Sequence, residues 1–319
     1  MHHLLTTPLH RTNGVNLRIA VLIPCRNEEH TITPVIRDFH SALPTALIFV
    51  YDNNSSDNTR TLAAEAGAMV RTESRQGKGY VVRRMFSDIE ADLYLLVDGD
   101  HTYDAAAAPG MIRLLVEEHL DMVTARRVSA EAAAWRPGHR FGNALFTSVV
   151  ARLFGRRFED ISSGYRVFSR RFVKSFTGSA SGFEIETEIT IHALTLELPA
   201  SEIDTVYRSR PTGSVSKLHT YRDGLRILRA IVTLFREERP LTYFGILGSG
   251  LILAALILIY PVVISYLETG LVLRFPTAIL ATGLVLSGLF SFASGFILDA
   301  VTRGRRENKK LAYLAVPAI

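Results

Sequence analysis

Cysteine and tryptophan are nearly absent from this chain of 319 residues, which contains one of each. The single cysteine is Cys25, so an internal disulfide is excluded, and a lone thiol is typical of proteins in a reducing compartment. Residues 1–16 lack an apolar signal segment. We therefore expect the first 240 residues to remain in the cytoplasm.

The sequence also lacks an internal repeat, a low-complexity tract and a nucleic-acid-binding motif. Lysine and arginine together number 36, against 31 aspartates and glutamates, which gives a net charge of +5. Without a nucleic-acid motif, this excess indicates phosphate-bearing small molecules or an anionic membrane surface as partners, and no nucleic acid.

Hydrophobic residues make up 48% of the chain, and the excess over one soluble core lies near the C-terminus. The runs 243–267 and 277–298 are nearly uncharged and have the length of about 20 residues that crosses a bilayer. Two buried core helices are the alternative, but core helices rarely stay apolar all round for so long. The runs predict two transmembrane helices within 241–301. Glycines suited to close helix packing are Gly245, Gly248, Gly250, Gly283, Gly288 and Gly295.

Basic residues flank this hairpin, whereas the connector 268–276 contains only Arg274. By the positive-inside rule, both ends of the hairpin face the cytoplasm. The sequence thus predicts a multi-pass protein of the cytoplasmic membrane, with the domain 1–220 and a basic tail, 302–319, on the cytoplasmic side. The sequence of residues 221–240 predicts an amphipathic helix that lies along the membrane interface. The alternative is a solvent-exposed connector helix.

Short apolar runs alternate with helical stretches through residues 17–220. This alternation predicts a doubly wound α/β domain with a mostly parallel sheet. The predicted strands are 17–23, 46–51, 92–97 and 121–125. The predicted helices are 32–43, 59–66, 79–89 and 107–119.

Two carboxylates, Asp98 and Asp100, flank Gly99 where the predicted strand 92–97 ends. Side chains alternate along an extended chain, so both carboxylates can converge on one hard cation, Mg²⁺ or Mn²⁺. Asp-x-Asp pairs are common and often structural. In open α/β sheets, however, ligands bind at the carboxyl ends of strands, and the position of this pair predicts a metal site.

Polar clusters follow the first two predicted strands, at 24–29 and 52–59. An acidic group there can accept hydrogen bonds from a ribose hydroxyl or a base N–H. The second cluster equally suits a helix N-cap by Ser56 or Asp57. Residues 75–79 form a glycine-flanked basic turn that suits phosphate.

Three carboxylates, Glu184, Glu186 and Glu188, stand at the start of a predicted helix, where acidic residues favour the helix dipole. Glu184 and Glu188 are four residues apart and share a face, whereas Glu186 points elsewhere. The alternative to a structural role is that Glu184 or Glu186 binds a sugar hydroxyl or assists the metal.

The polar motifs, taken in their order along the chain, resemble those of family 2 glycosyltransferases with the GT-A fold. Within that family the chain is most similar to the polyprenyl-phosphate glycosyltransferases of the membrane-anchored bacterial type, a group related to dolichyl-phosphate mannose synthase. The resemblance covers about residues 17–220 and the paired apolar runs. The segments that carry it are 23–28, 52–59, 77–79, 98–100 and 163–166.

The resemblance implies inverting transfer of one sugar from a UDP- or GDP-linked donor to a polyprenyl phosphate, with Mg²⁺ or Mn²⁺ on Asp98 and Asp100. The implied donor-binding residues are Pro24, Asn27, Glu28, Asp52, Lys78, Arg210, Ser214, Ser216 and Lys217. On the acceptor side, Arg126 and Arg140 would grip the lipid phosphate. Arg127 and Arg136 complete this arginine cluster, for which contact with anionic lipid headgroups is the alternative role.

Two departures from the family pattern leave the donor open. Asn53 follows Asp52 where many relatives carry consecutive aspartates, and His101 follows the metal motif where mannose synthases carry leucine and glutamine. The alternative functions are transfer to another lipid or a growing glycan, membrane-bound nucleotidyl transfer with release of pyrophosphate, and a non-catalytic membrane adaptor. The oligomeric state also stays open, a homo-oligomer included.

Overall fold

The computed structural model describes residues 9–12, 15–128, 139–155, 158–211 and 220–318. Its contacts divide the chain into two compact units. One unit comprises Met1–Ile231 together with Lys309–Ile319, and the other comprises Val232–Asn308. The first unit contains the sheet and the polar motifs.

Apolar β-branched and aromatic runs form the strands, because such side chains suit a buried pleated surface. The described strands are β1 (Leu9–Thr12), β2 (Val15–Cys25), β3 (Leu47–Asp52), β4 (Met69–Thr72), β5 (Leu93–Leu96), β6 (Met122–Val128), β7 (Arg166–Ser169) and β8 (Ala200–Val206). The four predicted strands are confirmed and correspond to β2, β3, β5 and β6.

The described strands pair in the order β4-β3-β2-β5-β7-β6-β8, and β1 pairs with β2. The pairs from β4 through β5 are parallel, as is the pair β6 and β8. By contrast, β7 is antiparallel to both β5 and β6. The predicted fold class, α/β with a mostly parallel sheet, is therefore confirmed. Because β2, β3 and β5 are parallel neighbours, the polar segments after them emerge at the same edge of the sheet.

Helices cover both faces of this sheet. Alternate residues of β2, among them Val21 and Ile23, pack into one core with α1 and α4. On the opposite face, the Phe86 ring of α3 contacts the rings of Tyr94 and Phe168, at centroid distances of 6.3 and 5.6 Å. The helices of this unit are α1 (Ile32–Ala42), α2 (Thr59–Glu65), α3 (Lys78–Asp88), α4 (Ala108–Glu117), α5 (His139–Phe154), α6 (Arg170–Ser175) and α7 (Ile185–Leu196). The four predicted helices correspond to α1 through α4.

Three further helices follow, α8 (Thr220–Glu238), α9 (Pro240–Thr269) and α10 (Phe275–Leu314). By length and composition, α9 and α10 are long and apolar enough to cross a membrane. They contain the predicted spans 243–267 and 277–298.

Glycines allow α9 and α10 to touch. A Cβ atom added to Gly288 would lie 3.0 Å from the carbonyl oxygen of Gly248 and 2.8 Å from Cγ1 of Ile252. A Cβ atom added to Gly250 or Gly283 would meet nothing within 4 Å. The predicted close packing therefore involves a subset of the six glycines.

The apolar residues of α8 fall into two groups by exposure. Leu225, Leu228 and Val232 are exposed, whereas Ile231 and Phe235 are buried. An exposed apolar stripe of three residues thus remains on this helix, and we call Leu225, Leu228 and Val232 the α8 stripe.

Residues of the predicted basic tail, 302–319, are helical up to Leu314. The end of this helix packs within the first unit, where the Tyr313 hydroxyl donates a hydrogen bond of 2.7 Å to Asp121 Oδ2. The Arg171 guanidinium lies 4.8 Å from the centre of the Tyr313 ring. The domain boundaries at 220, 240 and 301 stay predictions.

Candidate active site

The two motif carboxylates lie just past the carboxyl end of β5, as the sequence predicts. Asp100 is buried, with 4% of its surface exposed, and Asp98 is partly exposed. Oδ1 of Asp100 accepts hydrogen bonds from the backbone N–H and the hydroxyl of Thr102, at 3.2 and 2.6 Å. Oδ2 of Asp100 contacts the guanidinium of Arg210. His101 adopts φ +59°, a left-handed backbone conformation that is uncommon outside glycine and recurs at functional sites.

Lys78 begins α3 and joins two carboxylates. Its Nζ contacts Oδ1 of Asp98 and Oε1 of Glu186, and only 10% of its side chain is exposed. Burial alone would lower the pKa of Lys78, but the charges of Asp98 and Glu186 outweigh it and raise the pKa. Burial raises the pKa of Glu186, an effect that Lys78 opposes. Lys78 therefore carries its charge and holds two acidic groups together at the site.

Gly164 supports Asp98 from the other side. A Cβ atom added to Gly164 would lie 2.9 Å from Cγ of Asp98 and closer still to its Oδ2. The Gly164 N–H donates a hydrogen bond of 2.9 Å to the hydroxyl of Tyr103. A side chain here would displace the Asp98 carboxylate, which gives the 163–166 motif a physical role that sequence analysis did not identify.

Arg166, in the same motif, is fully buried. Its guanidinium donates to the carbonyl oxygens of Ser163 and Ile161, at 2.9 and 2.7 Å, and to the hydroxyl of Thr190, at 2.9 Å. Burial lowers the pKa of Arg166. These bonds fasten the loop before β7 to α7, and so fix Gly164 against Asp98.

The segments after β2 and β3 are tied to each other. The Asn27 N–H donates to the hydroxyl of Ser55 at 2.9 Å, and Asn27 Oδ1 accepts from the Ser56 N–H at 2.8 Å. The Glu28 N–H donates to the hydroxyl of Thr59 at 2.8 Å. Asp52 is buried and accepts from the Ser55 N–H at 3.3 Å. The structure thus brings the predicted nucleoside residues together, with Pro24 on the adjoining part of β2.

The N-cap of α2 is Asn58, which makes no side-chain capping bond, and not Ser56 or Asp57 as the alternative for the second cluster has it. Asp57 Oδ1 nevertheless accepts from the N–H of Thr59 at 3.1 Å. This residue is the first of α2. Asp57 therefore has a structural role at the helix start, and this role is compatible with a ligand site formed by Asp52 and Glu28.

Of the three carboxylates near α7, Glu186 alone contacts Lys78 among the described contacts. Glu184 accepts hydrogen bonds from the N–H groups of Ser181 and Gly182, at 3.1 and 2.9 Å. Glu188 likewise accepts from backbone N–H groups of the same loop. As the helical spacing predicts, Glu184 and Glu188 act on one side, where they shape the loop 178–182, and Glu186 faces the site.

The glycines beside Lys78 are explained by this loop. The N–H of Gly79 donates to the carbonyl oxygen of Ser181 at 3.1 Å, and a Cβ atom on Gly79 would lie 2.6 Å from the carbonyl carbon of Ala180. Gly77 has φ +141°, which other residues rarely adopt. The basic turn therefore places Lys78 by close backbone packing.

The predicted acceptor arginines that the structure describes are both paired. Arg126 donates to the two carboxylate oxygens of Asp204, at 2.5 and 2.8 Å, and contacts Glu159. Arg127 makes a similar bidentate pair with Asp160, with 2.7 Å to each oxygen. Burial opposes the charge of Arg127, but Asp160 outweighs burial and raises the pKa of Arg127. Arg126 is 35% exposed at its side chain and Arg127 only 14%.

Several predicted residues lie outside the described part of the chain. These are Arg136, Ser214, Ser216, Lys217 and the side chain of Arg140. The backbone of Arg140 belongs to α5.

A divalent metal suits the residues present. Among the described residues, no group of three His, Cys, Asp or Glu side chains is arranged to hold a metal ion. Mg²⁺ is commonly bound by one or two carboxylates together with substrate phosphates, so the pair Asp98 and Asp100 is a sufficient protein contribution. Both carboxylates already attract cationic side chains, Lys78 and Arg210. The site therefore favours positive charge on the motif carboxylates.

The chain is an open α/β protein with acidic, basic and small residues at the carboxyl ends of its strands, where such sheets bind ligands. Comparison with known proteins specifies the family. The family model described as glycosyl transferase family 2 matches residues 20–176. Glycosyltransferase AglJ of Haloferax volcanii is 33% identical over 298 residues, which cover 92% of this chain and 96% of AglJ. The chain belongs to glycosyltransferase family 2.

Two further similarities concern a curated relative and a solved structure. A dolichyl-phosphate hexose transferase of Haloferax volcanii is 25% identical over 221 residues, covering 69% of this chain and 95% of that protein. Glucosyl-3-phosphoglycerate synthase of Mycobacterium tuberculosis, solved with Mn²⁺, uridine diphosphate and phosphoglyceric acid, shares the fold with a TM-score of 0.56 at 20% identity. That similarity covers 70% of this chain and 78% of the synthase. The same synthase has also been solved with Mg²⁺ and uridine diphosphate.

Proposed function

We propose that this glycosyltransferase transfers one sugar, with inversion, from a nucleotide-sugar to a polyprenyl phosphate at the cytoplasmic face of the membrane. The observation that carries the proposal is the group Asp98, Asp100, Lys78, Glu186 and Arg210 at the carboxyl ends of parallel strands. A similar protein is named as a dolichyl-phosphate hexose transferase, which supports a lipid phosphate as acceptor.

For the donor, Pro24, Asn27, Glu28 and Asp52 form the proposed nucleoside site. Asp98 and Asp100 would hold Mg²⁺ or Mn²⁺, which supplies positive charge to the leaving diphosphate. Arg210 lies beside them, and Ser214, Ser216 and Lys217 extend the proposed diphosphate contacts. Glu186 is the proposed partner of a sugar hydroxyl. Glu184 is the weaker candidate for that role, because two backbone N–H groups of the loop 178–182 hold its Oε1 atom.

The proposed reaction needs positioning more than a strong base. A phosphate monoester carries a charge of about −1.5 to −2 near neutral pH, so the lipid phosphate is already a deprotonated nucleophile. Its oxygen forms a bond to the sugar C1 while the bond from C1 to the diphosphate oxygen breaks. The products are a lipid-phosphate-sugar and a nucleoside diphosphate, which leaves with the electron pair of the broken bond.

For the acceptor, Arg126 is the best placed of the described arginines. Its side chain is partly exposed, and its partners Glu159 and Asp204 are exposed too. A phosphate could therefore replace either carboxylate at the Arg126 guanidinium without entering a buried site. Arg127 is held in a mostly buried pair with Asp160 and suits a positioning role. Arg136 and Arg140 remain proposed phosphate ligands.

Membrane attachment is proposed from α9 and α10, which would cross the bilayer, and from the α8 stripe, which would lie at its surface. The basic residues that flank the hairpin support a cytoplasmic catalytic domain. A membrane-attached domain would meet a lipid-linked acceptor at the bilayer surface.

The test is transfer from a panel of UDP- and GDP-linked sugars by the purified full chain in detergent. A short-chain polyprenyl phosphate is offered as acceptor, and the matching polyprenyl alcohol serves as control. We expect sugar to enter the lipid fraction with the phosphate acceptor alone, and Asp100→Asn or EDTA to abolish it. Equal transfer to the alcohol, or full activity in EDTA, would contradict the proposal.

A further inference from the structure

Asp100 has no unoccupied oxygen in this structure. Thr102 occupies Oδ1 with two hydrogen bonds, and Arg210 occupies Oδ2. Asp100 is also almost completely buried, at 4% exposure. A cation that bound Asp100 through Oδ2 would therefore compete with the guanidinium of Arg210 for the same oxygen, and repulsion between the two positive charges favours replacement.

One nitrogen of the Arg210 guanidinium makes no hydrogen bond to the described residues. Its Nη1 atom is buried and has no hydrogen-bond partner among the described residues. A buried donor without a partner costs free energy, so an anionic oxygen that reached Nη1 would be favoured. Guanidinium groups bind phosphate oxygens in the same forked geometry as carboxylates.

The segment that carries Arg210 is anchored next to the metal motif. Tyr207 forms an isolated antiparallel bridge with Tyr103, and the N–H of Arg208 donates to the carbonyl oxygen of Thr102 at 2.9 Å. The guanidinium of Arg208 lies 3.6 Å from Asp104, outside the motif. Arg210 can therefore change partners by side-chain rotation while its backbone stays attached.

The balance of charges around Asp98 and Asp100 also favours binding of a cation together with a diphosphate. Asp98, Asp100 and Glu186 contribute three negative charges, and Lys78 and Arg210 contribute two positive ones. A divalent cation alone would meet one uncompensated negative charge. A nucleoside diphosphate adds negative charge and gives Arg210 a new partner.

From this geometry we propose that Arg210 is the counter-ion of Asp100 in the metal-free protein and passes from Asp100 to the donor diphosphate when the metal binds. The exchange makes Mn²⁺ or Mg²⁺ bind weakly alone and tightly together with the nucleotide. The proposal rests on the donor site described under Proposed function, and it assigns Arg210 a second role, as a competitor of the metal.

Electron paramagnetic resonance of free Mn²⁺ tests this without an activity assay. The full chain in detergent is titrated with Mn²⁺ alone, as wild type, Arg210→Gln and Arg208→Gln. Arg208→Gln is the matched control, because it removes the same charge from the same turn without touching Asp100. We expect Arg210→Gln to bind Mn²⁺ alone about three- to tenfold more tightly than wild type, and Arg208→Gln to differ by less than about twofold.

A second titration adds UDP or GDP at saturation. Nucleotide should tighten Mn²⁺ binding by a larger factor in wild type than in Arg210→Gln, because the variant has already lost the competitor. Circular dichroism checks the folding of the variant. Arg210→Lys keeps the positive charge but loses the forked geometry of the guanidinium, so its affinity for Mn²⁺ should fall between those of wild type and Arg210→Gln.

Two results would overturn the proposed exchange of Arg210, and a third would overturn the proposed function. Unchanged or weaker binding of Mn²⁺ alone by both folded Arg210 variants would overturn the exchange. An equal gain in Arg208→Gln would show a general charge effect and would overturn it too. If wild type binds no Mn²⁺ with either UDP or GDP, the proposed function itself fails at its metal site.

Discussion

At the scale of single residues, Gly164 shows how closely the segment Asp98–Asp100 is packed. The loop before β7 presses against Asp98, and Arg166 fastens that loop with three hydrogen bonds inside the protein. The motif carboxylate is therefore placed by a residue that itself contributes no functional group. A side chain at this position would have to move either the loop or the carboxylate.

We predict that Gly164→Ala lowers kcat/KM by about ten- to a hundredfold, because a shift of about 1 Å in a group that positions the reactants has effects of that size. The added Cβ atom would lie 2.9 Å from Cγ of Asp98. Gly110→Ala is the control, since a Cβ atom there meets nothing within 4 Å. Steady-state kinetics of both variants make the comparison, and equal activities would show that Asp98 tolerates the shift.

Lys78 gives a prediction about pH. In Lys78→Met, Glu186 keeps the effect of burial and loses the opposing ammonium group, so its folded-state pKa rises further above the unfolded value. A carboxyl group with a raised folded pKa destabilises the folded state increasingly as pH rises from the unfolded pKa to the folded pKa. We expect a loss of about 3 to 5 kcal/mol near pH 8, the usual effect of breaking a buried ion pair, and a smaller loss near pH 5.

Thermal unfolding of wild type and Lys78→Met at both pH values measures this difference. Lys174→Met provides the control, because Lys174 contacts Glu90 and both side chains are partly exposed. That variant should lose little stability at either pH. A deficit of Lys78→Met that is the same near pH 5 and near pH 8 would refute the account of Glu186.

At the scale of elements, the strands that sequence analysis identified are the continuous apolar runs β2, β3, β5 and β6. β4 and β8 were missed because they are largely polar or incompletely buried. β7 was missed because it begins with Arg166, and a charged residue argues against a buried strand. Carbonyl oxygens and a hydroxyl from separate segments satisfy that guanidinium, and such partners are not visible in a local sequence pattern.

The same limit applies to the site. The position of Asp98 and Asp100 after an apolar strand, and the helical spacing of Glu184 and Glu188, are local patterns and could be interpreted directly. The contact of Arg210 with Asp100 joins segments far apart in the chain, so it required the fold.

The contact between α9 and α10 yields a prediction for these two elements. Gly288→Leu should destabilise the hairpin by about 1 to 3 kcal/mol, the usual cost of overpacking, because even a Cβ atom would lie 2.8 Å from Ile252 Cγ1. Gly283→Leu, in open space on the same helix, should have almost no effect. Thermal unfolding in detergent compares them, and equal stability of the two variants would contradict the close packing.

At the scale of the whole molecule, the hairpin model predicts topology. A reporter fused after Ile319 and one inserted before Leu17 should both lie on the cytoplasmic side. A small tag in the connector 268–276 should be accessible from outside the cell. Labelling of intact and permeabilised cells distinguishes the compartments, and termini on opposite sides would mean that only one of the two long helices crosses the membrane.

The central claim is that the bond between the sugar C1 and the diphosphate oxygen breaks. Phosphorus NMR of the purified protein with its nucleotide-sugar and a short-chain polyprenyl phosphate follows every phosphorus atom of the reaction. We expect the signals of a nucleoside diphosphate and a lipid phosphodiester to grow together at about one to one as the phosphate monoester signal declines. Release of a sugar 1-phosphate with formation of a lipid-linked nucleoside diphosphate would indicate nucleotidyl transfer. Release of a nucleoside monophosphate with formation of a lipid diphosphate-sugar would indicate phosphosugar transfer, and either result would contradict the account.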